Sequence, residues 1–226
     1  MALVMAGLLA PARDVAAGPE EVPHTFQVDR GRVRVRVYDT AVMSAADQTV
    51  ALRAATGVLA AAGIDITWLA CGRDNSPTNP VECAALLAHD ELVLRLVRLA
   101  GMPSAHGELQ LGYSLVNTTV AEGALATIYV DRVEWLVTQA GCDGATVRGC
   151  DAATVLGYVI AHEIGHLLLG TNAHGAAGLM RAVWSRTEIQ RNDPANWLFT
   201  AGEGLAMSRA LHHRQLQMAT NIIGTR

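Results

Sequence analysis

The sequence is poor in charge, in long apolar runs and in clustered cysteine. Only 17% of its 226 residues are charged, and the net charge is −4 with histidine neutral. No basic surplus is available to meet a phosphate backbone, and no long acidic tail appears, so no nucleic-acid partner is expected. No apolar run reaches the roughly 18 residues of a membrane-spanning helix, so no stable membrane insertion is expected. There is no internal repeat and no low-complexity tract. What is present is aliphatic: 51% of the chain is hydrophobic. That composition argues against intrinsic disorder and supplies a core for one domain.

Four cysteines occur, Cys71, Cys83, Cys142 and Cys150. None lies in a CxxC knuckle, which disfavours a structural zinc on four thiolates. An even count in loop-like surroundings predicts disulfides and an oxidising compartment. The favoured pairs are Cys71–Cys83 and Cys142–Cys150, each bracketing a short polar or Gly-rich loop. The first ten residues, MALVMAGLLA, are apolar, and Ala10-Pro11-Ala12 and Val15-Ala16-Ala17 resemble small-residue cleavage sites. The cationic start of a secretion signal is missing. Residues 1–30 are read as leader and linker, and the protein as secreted or periplasmic.

Along the chain, residues 32–38 (RVRVRVY) alternate with period two and predict a half-buried strand with its arginines on a solvated face. Residues 45–62 predict a helix ended by Gly63. Further strands are expected at 64–70, 91–97 and 124–130, with a weaker edge strand at 109–116. A short helix follows at 131–140. Asp151 is a predicted N-cap for a helix over 152–169, which Gly170 ends. A last helix is expected over 201–219.

The chemistry concentrates in that 152–169 helix. His162-Glu163-Ile164-Gly165-His166 places two imidazoles four residues apart, on one helix face and one turn from each other. Two such nitrogens can grip one tetrahedral zinc, and Glu163, rotated by one residue, can act as a general base without being a ligand. A catalytic zinc needs a third protein ligand. His174 follows Gly170, a residue that lets the chain turn back, and Met180 comes six residues later. The plainer reading of the same residues is a core helix with two satisfied histidines, but an unpaired buried Glu would then be costly.

The run HExxHxxxGxxxH with Met180 beyond it resembles the metzincin clan of metallopeptidases, whose signature is HExxHxxGxxH before a Met-turn. It departs by one extra residue before Gly170 and one more before His174. The resemblance implies an α+β fold. It would have a mixed twisted β-sheet, a backing helix, an active-site helix and a smaller C-terminal subdomain ending in a helix. It divides residues 31–226, a single catalytic domain, into subdomains 31–170 and 171–226. It implies a zinc endopeptidase acting on a peptide or protein, with His162, His166 and His174 as ligands, Glu163 as base and Met180 as an apolar floor. No tyrosine follows Met180 closely, so a tyrosine ligand is not expected.

Alternatives stay open. A site similar to the thermolysin-like gluzincins would draw its third ligand from Glu188 or Glu203, or less readily Asp193. The bond cleaved could be a non-peptide amide, or zinc could be a structural staple without catalysis. His24, His89 and His106 are isolated, and His212 and His213 point about 100° apart on the last helix. Trp68, Trp135, Trp184 and Trp197 are read as core or cleft-wall residues.

Overall fold

The computed structural model describes residues 30–72, 79–99, 109–142 and 150–223. The leader, His24, His106 and the middles of both cysteine-bracketed loops lie outside them. Strand β1 (Gly31–Asp39) is an interior strand, and its alternation buries Val33, Val35 and Val37 on one face. It pairs in parallel with β2 (Ile64–Cys71) on one side and β3 (Glu91–Val97) on the other. β5 (Glu122–Tyr129) adds in parallel to β3, and β4 (Gly112–Asn117) closes the edge antiparallel to β5. The sheet order is β2-β1-β3-β5-β4, a mixed sheet in an α+β fold. A register shift at Leu115/Val116 kinks the edge strand, a common way to blunt further pairing.

Helix α1 (Ala45–Ala61) links β1 to β2, with Ser44 accepting a bond from the Asp47 amide at 3.1 Å. It packs against α3 (Ala152–Leu169), which is the centre of the core. Asp151 caps α3 by accepting from the Thr154 amide at 2.8 Å. Both the cap and the bounds are those expected. α3 is long and apolar enough to cross a membrane, yet its Leu156, Ile160, Ile164, Leu167 and Leu168 are fully buried inside the fold. Burying one such side chain contributes roughly 1.5–3 kcal/mol, so its apolarity is accounted for by the core. α2 (Val130–Gln139) leads out of β5, and α5 (Ala201–Ile223) runs past the start of β1, burying Met207 and Leu211.

The disulfides are Cys71–Cys83 and Cys142–Cys150, with Cα atoms 5.7 and 5.5 Å apart. One expectation fails. Arg36 is not solvated: it is 4% exposed, paired with Glu91, and donates to the Ala85 and Leu86 carbonyls at 2.7 and 3.1 Å. The segment before β3 folds over that end of the arginine face, while Arg32 and Arg34 stay exposed. Trp135 is 37% exposed on α2, so it is not part of the core. Three short elements also appear that the sequence reading did not separate, a 3₁₀ turn at Val81–Cys83, α4 (Arg186–Arg191) and a 3₁₀ turn at Pro194–Trp197.

Candidate metal centre

His162 and His166 emerge from the buried face of α3. Each Nδ1 meets a backbone carbonyl, His162 to Leu179 O at 2.9 Å and His166 to Thr171 O at 2.8 Å. A carbonyl only accepts, so each Nδ1 carries the proton and donates. Each Nε2 of a neutral ring is then a bare lone pair, and the two stand 3.1 Å apart. A proton shared between them would need one imidazolium. Burial works against that: it holds His162 down at about 4 and lowers His166 as well. Two facing lone pairs in a buried place call for a cation between them.

His174 arrives from the segment after α3. Gly170 takes φ +65° and starts the reversal. A side chain there would run into the Ala121 carbonyl, so glycine is required on both counts. The Gly175 amide donates to Met180 O at 2.7 Å, and Gly175 bridges to Arg181. This short bridged loop carries His174 over the helix. Ring centroids lie 5.4 Å from His162 and 4.9 Å from His166. One donor atom from each of the three residues falls within 4.8 Å of the others, the only such group among the described residues. His162 and His166 are buried and His174 is exposed, so the cluster opens on the His174 side.

Met180, 1% exposed, packs against α3 at Gly165. Gly165 allows this approach: a Cβ there would stand 2.8 Å from Met180 Sδ and 2.6 Å from Phe199 Cε1. Trp184 forms a wall, edge-on to His162 with centroids 5.7 Å apart. Trp184 leans in turn on Trp197, which stacks on Tyr158. The Trp184 indole N–H is buried and has no partner among the described residues.

Glu163 is buried beside the cluster without belonging to it. Ser114 Oγ, on edge strand β4, lies 2.7 Å from Glu163 Oε2 and 2.7 Å from the Glu163 carbonyl oxygen, between which its one proton is shared. Burial raises the Glu163 carboxyl to about 7, against the smaller opposing pull of the Ser114 hydrogen bond. A carboxyl poised near neutrality can both take and return a proton.

The competing carboxylates are engaged elsewhere. Glu188 closes a capping box with Ser185 and pairs with Arg181, and these contacts hold it down at about 2. Glu203 accepts from the Thr200 amide at 2.7 Å, and Asp193 from the Ala195 amide at 3.0 Å. His89, His212 and His213 are exposed and outside the cluster. The donor set of three imidazoles with no carboxylate, each buried ring oriented by a carbonyl, fits zinc. Sequence reasoning listed Trp184 among core or cleft-wall residues, and it stands against His162 as a wall, but it did not find Ser114 or the two orienting carbonyls. Ser114 lies 49 residues from Glu163, and no local pattern could reveal that pairing.

No protein-family model matches this chain, and no curated protein does. Among solved structures it is similar to archaemetzincin from Methanopyrus kandleri, with a TM-score of 0.49 and 14% identity over 84% of this chain and 99% of that one. At that score and identity the likeness says nothing of chemistry, which rests on the side chains alone.

Proposed function

We propose that this protein is a zinc-dependent endopeptidase, with His162, His166 and His174 as the metal ligands and Glu163 as the general base. The observation that carries the reading is the convergence of three imidazoles beside a buried carboxylate that is not one of the donors. A bound zinc supplies Lewis acidity, making water more acidic and a carbonyl more electrophilic.

The chain's own residues do the rest. Thr171 and Leu179 fix the ring orientations through Nδ1, which keeps both Nε2 lone pairs aimed at one point. Ser114 holds Glu163 at Oε2. Oε1 then takes a proton from the attacking water and returns it to the leaving amine. Trp184 keeps one wall apolar, which strengthens each of these electrostatic contacts.

A structural staple needs no buried carboxylate outside its donor set, and it encloses its metal with protein ligands. The exposed His174 and the buried Glu163 both favour catalysis over that reading. The two disulfides suit an oxidising compartment, so we place the protein outside the cytoplasm.

The test is casein hydrolysis by the zinc-loaded protein and by Glu163→Ala. The expected result is cleavage by the native chain and its loss in a variant that still binds one zinc. Undiminished cleavage by Glu163→Ala would overturn the mechanism. Cleavage of small amides but never of casein would move the reading to a non-peptide amide hydrolase.

A further inference from the structure

Away from the histidine cluster, a groove of ≈ 410 Å³ lies between the start of β1 and one face of α5. Leu205, Arg209, His212 and Leu216 recur along it at the three- and four-residue steps of a single helix stripe, with His213 beside them. Leu205 and Leu216 are 49% and 53% exposed, whereas Met207, Leu211 and Arg214 of the same helix are buried. Every titratable group that lines the groove is a base: Arg30, Arg209, His212 and His213. The whole chain, by contrast, carries a net charge of −4. Arg30 reaches Asp65 at 3.2 Å in an exposed pair, and Arg209 enters no ion pair among the described residues.

The sequence joined to Arg30 has the complementary character. Residues 18–29, GPEEVPHTFQVD, follow both candidate cleavage sites. They carry the carboxylates of Glu20, Glu21 and Asp29, no arginine or lysine, and the apolar side chains of Val22, Phe26 and Val28. β1 is seated on α5 from its first residue, since a Cβ on Gly31 would stand 2.8 Å from Leu211 Cδ1. Covalent attachment therefore delivers residues 18–29 to the groove. The nine or ten residues back to Glu21 and Glu20 reach about 30 Å when extended. Leu205 and Leu216 are three helical turns apart, about 16 Å.

We infer that residues 18–29 dock in this groove as an intramolecular strap, with Glu20 and Glu21 against Arg209, His212 and His213 and the apolar side chains against Leu205 and Leu216. Exposed ion pairs are individually weak. A tethered segment, however, meets its site at an effective concentration in the millimolar range, so a few such pairs over two half-exposed leucines suffice. A hollow between a strand and a helix suits a chain segment better than a planar anionic membrane. The inference is independent of the metal centre, since none of His162, Glu163, His166 and His174 lines the groove.

The chain contains no lysine, which makes a direct test available. Arg209→Lys keeps the charge on an exposed helix position and introduces the one side-chain amine. A water-soluble carbodiimide then joins that amine, with no spacer, to whichever carboxylate touches it, and peptide mass spectrometry locates the link. The expected result, on protein that retains residues 18–29, is a link within one chain to Glu20 or Glu21. Adding Leu205→Ser and Leu216→Ser, both at half-exposed positions, should diminish it. No link, or links only to carboxylates of the folded domain such as Asp65, would overturn the inference. So would a covalent dimer whose yield rises with protein concentration, which would make a second copy the occupant. A link of undiminished yield in the double-serine variant would reduce it to the proximity of a tether, and would overturn it too.

Discussion

His162 and His166 project from a helix buried on nearly every side, and each ring is tied by Nδ1 to a carbonyl. His174 stands on an exposed stretch with no regular structure between Thr171 and the bridge at Gly175. The three imidazoles converge on one point from these different supports. The helix supplies pre-organised donors whose position is fixed by core packing. The following segment supplies a donor held mainly by its own short turn, on the side where the cluster meets solvent. On the proposed reading, the rigid pair sets affinity and the exposed partner sets access.

The comparison breaks most readily at the ligands. A structural zinc site is worth about 10–16 kcal/mol in all, so one ligand accounts for roughly a hundred- to a thousandfold in affinity. His166→Ala should lose at least that much zinc affinity in competition with a chelating dye. His174→Ala should lose about tenfold less, because its ring is less pre-organised to begin with. Equal losses at the two positions would remove the distinction between the supports.

A smaller effect tests how tightly the helix is packed on the segment that follows. In Gly165→Ala the new methyl meets Phe199 and Met180 at separations that real Cβ atoms do not show. Overpacking of this kind costs about 1–3 kcal/mol, read as a lower urea midpoint. Gly202→Ala on α5 is the matched control, since its Cβ meets nothing within 4 Å. That change should stabilise by about 0.5–1 kcal/mol.

The smallest effect concerns the segment alone. The Ser185 backbone amide, and then Arg181, hold the Glu188 carboxyl down at about 2, below its ordinary unfolded value of about 4.3. A carboxyl depressed on folding adds stability that is fully present above the unfolded value and is lost as pH falls toward the folded one. Glu188→Gln should therefore flatten the decline of the urea midpoint between about pH 5 and pH 2. An unchanged acid limb would show that the Arg181–Glu188 contact does not stiffen this turn.

Legibility in the sequence follows the same division. The bounds of α3, its Asp151 cap and its Gly170 stop were readable because cap chemistry and helical periodicity agree along eighteen residues. β3 was equally plain over Glu91–Val97. The segment after α3 was not, since the six residues of α4 are too few to display a 3.6 period. Its only local signal was the Ser185…Glu188 capping box. The fate of Arg36 was hidden, because alternation states which residues share a face and not what later folds over it. The spacing singled out His162, His166 and His174, which the structure gathers into one cluster. It could not supply Ser114, whose role depends on a contact across the fold.

The most direct test is a structure of the zinc-reconstituted protein with anomalous data at the zinc edge. The account predicts one zinc per chain, bound by nitrogens of His162, His166 and His174 at about 2.0–2.1 Å, with the remaining position open to solvent. A chain that takes up no stoichiometric zinc, or a metal closed in by a fourth protein ligand, would contradict it.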